Sequence, residues 1–163
     1  MNFLNETLLK EVAQILKENR LTIAVAESCT SGLLQNAFSQ AKEAMSFFQG
    51  GLTVYNIGQK SKQLGINPIF AEDCNSVSKD IAEQMALAVA GKFNSETGLA
   101  ITGYAQPVPH EGVASCFAYV AVSKNSKIIL SKKITGDAEK NLWENQQIYT
   151  DKILSELKKV LKK

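Results

Sequence analysis

Three residues of this 163-residue chain, Ser28, Tyr55 and Lys60, are of types that together can perform acyl transfer. Ser28 lies between an apolar, strand-like run and a run with helical spacing. A serine on a turn from strand to helix has its hydroxyl at the mouth of a sheet. The free backbone N–H groups of the helix start lie beside it and can hold developing negative charge. This position predicts that Ser28 is a nucleophile.

A serine hydroxyl needs a base to accept its proton, and a lysine can fill that role here. His110 is the only histidine and lies between Pro109 and Glu111 in a predicted loop, so a histidine-based triad has little support. Lys60 can act as the base once burial or a neighbouring cation lowers its pKa from an ordinary value of about 10.4. Tyr55 can relay or orient a proton through its phenol.

Each of these residues also has an ordinary structural interpretation. Serines at helix starts are most often caps, which would account for Ser28. Tyr55 by default is a strand residue with a hydrogen-bonded hydroxyl, and Lys60 a solvated surface lysine beside Lys62. Cys29 is expected to be a small buried hydrophobic residue more than a rival nucleophile, although a helix N-terminus would lower the pKa of its thiol.

The spacing of apolar residues predicts the elements that position these groups. In the first half of the chain they are a helix at 3–19 with Leu4 on its apolar face, a strand at 21–26, a helix at 32–41 and a strand at 52–55. A helix then runs from a cap at Ser76 or Ser78 to about 93, followed by a strand at 98–102 and a loop at 103–112. The last elements are a hairpin of strands 115–122 and 127–134 turning at Asn125 and Ser126, and a helix beginning after Asp137. This order predicts a single layered α/β/α domain over residues 1–163, with a mixed sheet and a late β-hairpin. Ligands of such sheets usually bind beyond the carboxyl ends of strands, here near Ser28, Asn56 and Gly103.

Composition argues against several classes of function. Apolar residues make up 45% of the chain and charged residues 21%, as in an ordinary globular protein. No apolar segment resembles a membrane span or a secretory signal, so we expect a soluble cytoplasmic protein. The net charge is +2, Arg20 is the only arginine and the lysines are spread along the sequence. This pattern does not favour nucleic-acid binding. Cys29, Cys74 and Cys116 are odd in number and widely spaced, so we expect reduced thiols and neither a disulfide framework nor a metal site.

Two segments resemble a known family. Residues 26–32 read Ala-Glu-Ser-Cys-Thr-Ser-Gly, and residues 55–60 read Tyr-Asn-Ile-Gly-Gln-Lys. The first resembles the Ala-Glu-Ser-Cys-Thr-Gly-Gly turn of the C-terminal domain of the competence-damage-inducible CinA family, with Ser31 in place of the first glycine. The second keeps the tyrosine-to-lysine spacing of that family's Tyr-Ser-Asn-Glu-X-Lys segment but not the residues between. The resemblance runs over nearly the whole chain and implies the same fold.

The family includes bacterial nicotinamide mononucleotide amidohydrolases, and the resemblance implies their chemistry. Ser28 would attack a carboxamide with Lys60 as base and Tyr55 assisting, and ammonia would leave to give nicotinate mononucleotide without a metal or cofactor. The expected partner is a small-molecule nucleotide substrate rather than nucleic acid or membrane, and we expect a homo-oligomer, with a dimer favoured. The residues expected to bind the substrate are Glu27, Cys29, Thr30, Ser31, Gly32, Asn56, Thr102 and Gly103.

Two departures from the family pattern concern the substrate. Where the family has Ile-Thr-Gly-Ile-Ala-Gly-Pro, residues 101–107 carry Tyr104 and Gln106, and the loop that follows is shorter. Glycine lets a backbone approach a ligand closely, so these two residues are expected to narrow or reshape the pocket. The family's Gly-Asp-Arg becomes Gly-Asp-Ala at 136–138, which removes an arginine that could pair with phosphate. A non-catalytic nucleotide-binding module and a structural oligomerisation domain therefore stay open as alternatives.

Overall fold

The computed structural model describes residues 5–163. Its helices are α1 (Glu6–Glu18), α2 (Leu33–Ser39), α3 (Ile57–Leu64), α4 (Pro68–Asp73), α5 (Lys79–Lys92) and α6 (Leu142–Leu161), and its strands are β1 (Ile23–Glu27), β2 (Phe48–Thr53), β3 (Thr97–Tyr104), β4 (Phe117–Lys124) and β5 (Lys127–Thr135). The first positions of the predicted helix at 3–19, including Leu4, lie outside the described residues. None of the helices within residues 5–163 is long and apolar enough to cross a bilayer.

A five-stranded mixed sheet forms the centre of the molecule in the order β2-β1-β3-β4-β5. β1 pairs in parallel with β2 and β3, whereas β4 runs antiparallel to both β3 and β5. The three parallel strands therefore end at the same edge of the sheet. β4 and β5 form the predicted hairpin, in which Asn125 and Ser126 have φ of 48° and 61°. Two consecutive residues with positive φ are typical of the tight turn that matches strand twist.

Helices cover both faces of the sheet. Ile23 and Val25 on one face of β1 belong to a core shared with α1, α2 and α6. Ala24 and Ala26 on its other face belong to a second core with α3, α4 and α5. Gly98 of β3 allows the second layer to approach closely, since a Cβ atom there would collide with the carbonyl oxygen of Ala86 on α5. The predicted α/β/α architecture with small residues on one strand face is confirmed.

Several predicted boundaries were wrong. β2 begins at Phe48 and ends at Thr53, so Tyr55 lies beyond the strand. β3 continues to Tyr104, which makes Gly103 a strand residue rather than the start of a loop. α6 begins at Leu142, where the side chains of Asn141 and Glu144 form a reciprocal capping box.

Two helices, α3 and α4, were not predicted from the sequence. α3 starts after Asn56, whose side chain accepts a hydrogen bond from the backbone N–H of Gln59, and it ends at Gly65 in the left-handed conformation. α4 starts after Asn67 with Pro68 in its first turn. Between the two predicted cap residues for α5, the structure selects Ser78. The caps of all three helices are visible in the sequence, but the short, polar α3 has too little apolar periodicity to stand out.

Candidate active site

A cavity of about 480 Å³ opens at the carboxyl ends of the parallel strands. Its volume is in the range that accommodates a small-molecule ligand. The wall is built from the turn after β1, the first turn of α3, residues 75–77 between α4 and α5, and the segment that continues β3 to Glu111. Chain segments that are far apart in sequence therefore converge on one recess, at the sheet edge predicted for ligand binding.

Ser28 and Lys60 lie in contact on the buried part of this wall. Lys60 Nζ donates a hydrogen bond to Ser28 Oγ across 3.3 Å. Ser28 is 6% exposed and Lys60 3%. Lys60 lies on α3, the same helix as Lys62, which is exposed. The interpretation of Lys60 as a solvated surface lysine is therefore wrong, and the two residues predicted as nucleophile and base are brought within hydrogen-bonding distance.

Burial changes the ionisation of Lys60. It lowers the pKa of the Lys60 ammonium group from 10.5 to about 8, because a buried ammonium ion has lost much of its hydration. Negative charge on Cys29 or Cys74 would oppose this effect. An amine with a pKa near 8 is partly neutral at physiological pH, and a neutral amine can accept a proton from a hydroxyl.

Cys29 is a neutral part of the wall. Burial raises the pKa of its thiol to about 12, which outweighs the effects of nearby hydrogen-bond donors and of Lys60. The expectation that a helix end would lower this pKa is wrong, because the thiol is shielded from water. The backbone carbonyl of Cys29 accepts a hydrogen bond of 2.9 Å from Nε2 of Gln146, a buried residue of α6.

Glu27 stabilises the turn that carries Ser28. Its carboxylate is fully buried and accepts a hydrogen bond of 2.6 Å from Thr30 Oγ1. It also accepts hydrogen bonds from the backbone N–H groups of Gly32, Leu34 and Gln35, at 3.2, 3.0 and 2.8 Å. These donors belong to the first turn of α2, where backbone N–H groups have no partner within the helix. Glu27 thus caps α2 from the preceding strand and fixes the path of residues 28–32.

The residues predicted to bind substrate divide into two groups. Cys29, Asn56 and Gly103 line the cavity, as do Ser28, Tyr55 and Lys60. The other five, Glu27, Thr30, Ser31, Gly32 and Thr102, are not on its wall. Their contact with the substrate stays a prediction. In the structure the first four form the turn after β1, and the side chain of Thr102 is buried.

Thr102 holds a neighbouring part of the wall in place. Its Oγ1 donates a hydrogen bond of 2.6 Å to the backbone carbonyl of Ser76. Asn75 and Ser76 both have positive φ, 48° and 58°, a conformation that asparagine adopts more readily than most residues. The contact between β3 and this strained turn brings Asn75 and Ser76 to the cavity.

Tyr55 lies at the rim of the cavity and is 59% exposed. It follows β2 and precedes the Asn56 cap of α3, so the strand end and the helix start set its position. Its assistance in proton transfer stays a prediction.

Three wall residues that carry polar groups were not predicted from the sequence: Asn75, Ser76 and Glu111. The Asn75 side-chain amide donates hydrogen bonds to Tyr104 Oη, at 2.9 Å, and to the Glu111 carboxylate. Ser76 is 1% exposed, and its Oγ has no hydrogen-bond partner among residues 5–163. In the sequence, Asn75 and Ser76 are recognisable only as adjacent polar residues before a helix cap, a pattern that predicts a turn but not a place at the cavity. Tyr104 and Gln106, which were expected to reshape the pocket, both line it.

Comparison with known proteins gives one consistent family. The model of the CinA C-terminal domain matches residues 5–161. A CinA-like protein of Nostoc sp. is 37% identical over 103 residues, which are 63% of this chain and 24% of that protein. A CinA-like protein of Synechocystis sp. is 39% identical over 102 residues, again 63% of this chain and 24% of the relative. The match therefore spans about a quarter of the length of these relatives.

A solved structure shows the same fold over nearly its whole length. The competence or damage-inducible protein from Enterobacter asburiae superposes with a TM-score of 0.88 and 25% sequence identity, covering 94% of this chain and 96% of that one. The mixed five-stranded sheet with helices on both faces is therefore the fold of that structure as well. The chain belongs to the CinA C-terminal domain family.

Proposed function

We propose that this protein is an amidohydrolase that converts the carboxamide of nicotinamide mononucleotide, or of a related compound, to a carboxylate and ammonia. The observation that carries the proposal is the 3.3 Å contact between Lys60 Nζ and Ser28 Oγ on the wall of a ligand-sized cavity. A buried lysine with a depressed pKa beside a serine hydroxyl is an arrangement suited to generating a nucleophile. Membership of the CinA family, which contains such amidohydrolases, supports the same chemistry.

The first half of the reaction forms an ester with the protein. Neutral Lys60 accepts the proton of the Ser28 hydroxyl while Oγ attacks the carbonyl carbon of the carboxamide, giving a tetrahedral intermediate. The resulting Lys60 ammonium group donates that proton to the amide nitrogen. The carbon–nitrogen bond breaks, ammonia leaves, and the acyl group stays on Ser28.

The second half restores the serine. Lys60, neutral again, accepts a proton from a water molecule that attacks the acyl carbon. The ester bond breaks, the carboxylic acid is released as its carboxylate, and Ser28 recovers its proton from Lys60. Tyr55 at the cavity rim is proposed to assist these transfers, because its phenol can both donate and accept a hydrogen bond.

In this mechanism, backbone N–H groups of the serine turn stabilise the negative charge of the tetrahedral intermediate by hydrogen bonds. The N–H of Ser31 donates to the Ser28 carbonyl at 3.0 Å, and that of Gly32 donates to Glu27. These two donors are committed within the turn, so Cys29 and Thr30 supply the N–H groups that remain for the oxyanion. Gln146 holds the peptide group between Cys29 and Thr30 through the Cys29 carbonyl, and so orients the Thr30 N–H.

The proposal is tested by incubating the purified protein with nicotinamide mononucleotide and measuring ammonia. We expect release by the wild type, a loss of at least about 10³-fold in kcat for Ser28→Ala, and full activity for Ser39→Ala, a matched change on the exposed surface of α2. Undiminished release by Ser28→Ala would refute Ser28 as nucleophile. Tight binding of the nucleotide without turnover would instead identify a non-catalytic binding module.

A further inference from the structure

Few charged groups face the cavity. Among residues 5–163, its wall carries two charged side chains, Lys60 and Glu111. Lys60 is 3% exposed and hydrogen-bonded to Ser28, and the proposed chemistry needs it in the neutral form. The described part of the wall therefore offers no second cation that could neutralise a phosphate group. Proteins that bind phosphate usually provide arginine or lysine for that purpose.

Glu111 places a negative charge beside the same cavity. Its carboxylate accepts a hydrogen bond from the Asn75 amide, which also donates to the hydroxyl of Tyr104. His110 Nε2 lies 3.8 Å from the other carboxylate oxygen, but the imidazole is exposed and compensates the charge only when protonated. A carboxylate at this position repels a phosphate dianion and attracts a cation.

The remaining polar groups of the wall are uncharged. Ser76 Oγ is buried without a partner among the described residues, and the side chains of Asn56, Gln106 and Tyr55 also line the cavity. Such groups suit the uncharged hydroxyl and amide groups of a ligand, because each can donate or accept a hydrogen bond without leaving a buried charge unpaired. The amino end of α3 at Ile57 adds only a fraction of a positive charge, which also suits a neutral acceptor oxygen.

We infer that the cavity accepts a carboxamide whose remainder carries hydroxyl groups and no phosphate, that is, a nucleoside in preference to a nucleotide. The inference rests on the proposed function, since the carboxamide must lie at Ser28, and it specifies which related compound is used. A positively charged pyridinium ring fits this wall, because Glu111 attracts it and two tyrosines that can make cation–π contacts, Tyr55 and Tyr104, line the cavity.

The experiment compares kcat/KM for ammonia release from nicotinamide riboside and from nicotinamide mononucleotide. We expect the wild type to favour the riboside at least about tenfold. Replacing Glu111 by glutamine should narrow the ratio by about two- to fivefold, the range for a partly exposed charge, and Glu111→Lys should narrow it further. Glu18→Gln makes the same change of charge at the exposed end of α1 and should leave the ratio unchanged.

Equal or better use of the mononucleotide by the wild type would overturn the inference while leaving the proposed hydrolysis intact. If neither compound releases ammonia, the proposed function fails, and calorimetry with the Ser28→Ala variant still decides the selectivity. Tighter binding of the riboside than of the mononucleotide would then support the inference. Tighter binding of the mononucleotide, or binding of neither compound, would contradict it.

Discussion

Gln146 and Cys29 are 117 positions apart, yet Gln146 Nε2 donates a hydrogen bond of 2.9 Å to the Cys29 carbonyl. Gln146 is buried on α6, and the carbonyl belongs to the turn that follows Ser28. The contact ties the helix that covers one face of the sheet to the peptide group next to the nucleophile.

We predict that Gln146→Met lowers kcat with little change in KM, because the substrate still binds while the turn is no longer held in place. The unpaired buried carbonyl should also reduce the free energy of unfolding by about 1–3 kcal/mol. Gln147→Met is the matched control, since the Gln147 side-chain nitrogen is buried and has no partner among the described residues. Equal losses of kcat in the two variants would contradict a positioning role for Gln146.

The rate should depend on pH through Lys60. Its pKa is about 8, and the proposed base is the neutral amine. We therefore expect kcat/KM to fall about tenfold per pH unit below 8 and to level off above it. Lys60→Arg should be nearly inactive at every pH, because arginine stays protonated. A flat profile between pH 6 and 9, or an active arginine variant, would contradict this mechanism.

The burial of Lys60 should also cost stability. A lysine whose pKa falls from 10.5 to about 8 on folding binds fewer protons in the folded state. The free energy of unfolding therefore rises as pH increases from about 8 to 10.5, and the destabilisation is fully present below 8. Lys60→Met should then raise the free energy of unfolding at pH 7 by about 1–3 kcal/mol.

Urea denaturation measures this effect, and the gain from Lys60→Met should shrink as the pH is raised towards 10.5. Lys62→Met, an exposed change on the same helix, should alter stability by no more than about 0.5 kcal/mol. A Lys60→Met variant less stable than the wild type at pH 7 would show that the aliphatic packing or the Ser28 contact outweighs desolvation.

Ser31 stores backbone strain in the serine turn. Its φ is 49°, in the left-handed region, and its side chain is exposed. Ser31→Gly, which restores the glycine of the family motif, should stabilise the protein by about 0.5–1 kcal/mol. Ser39→Gly within α2 should instead lower the stability of the protein, because glycine weakens a helix. Thermal unfolding of both variants measures the difference, and a lower Tm for Ser31→Gly than for wild type would rule out the strain.

The sequence predicted the parts of the fold that follow from local periodicity. The two faces of β1 differ in residue size, and this difference correctly indicated helices on both sides of the sheet. β2 was predicted too short, because Gly50 and Gly51 favour no strand by themselves and are extended by pairing with Ala24 and Val25 of β1.

The site was predictable only in part. The positions of Ser28 and Lys60 came from a turn signal and a family motif, but the burial of Lys60 depends on how α3 packs beside α4 and α5. The convergence of Asn75, Tyr104 and Glu111 joins residues separated by up to 36 positions, and no local pattern encodes it. Glu27 was expected to bind the substrate, whereas its buried carboxylate accepts hydrogen bonds from the first turn of α2.

The link between α6 and the serine turn has a consequence for biosynthesis. A chain leaving the ribosome carries Ser28, Lys60 and the local contacts of Glu27 long before Gln146 is translated. Until then the Cys29 carbonyl lacks its hydrogen bond from α6, although the nucleophile is already present. One of the contacts that hold the serine turn can therefore form only after α6 has been translated.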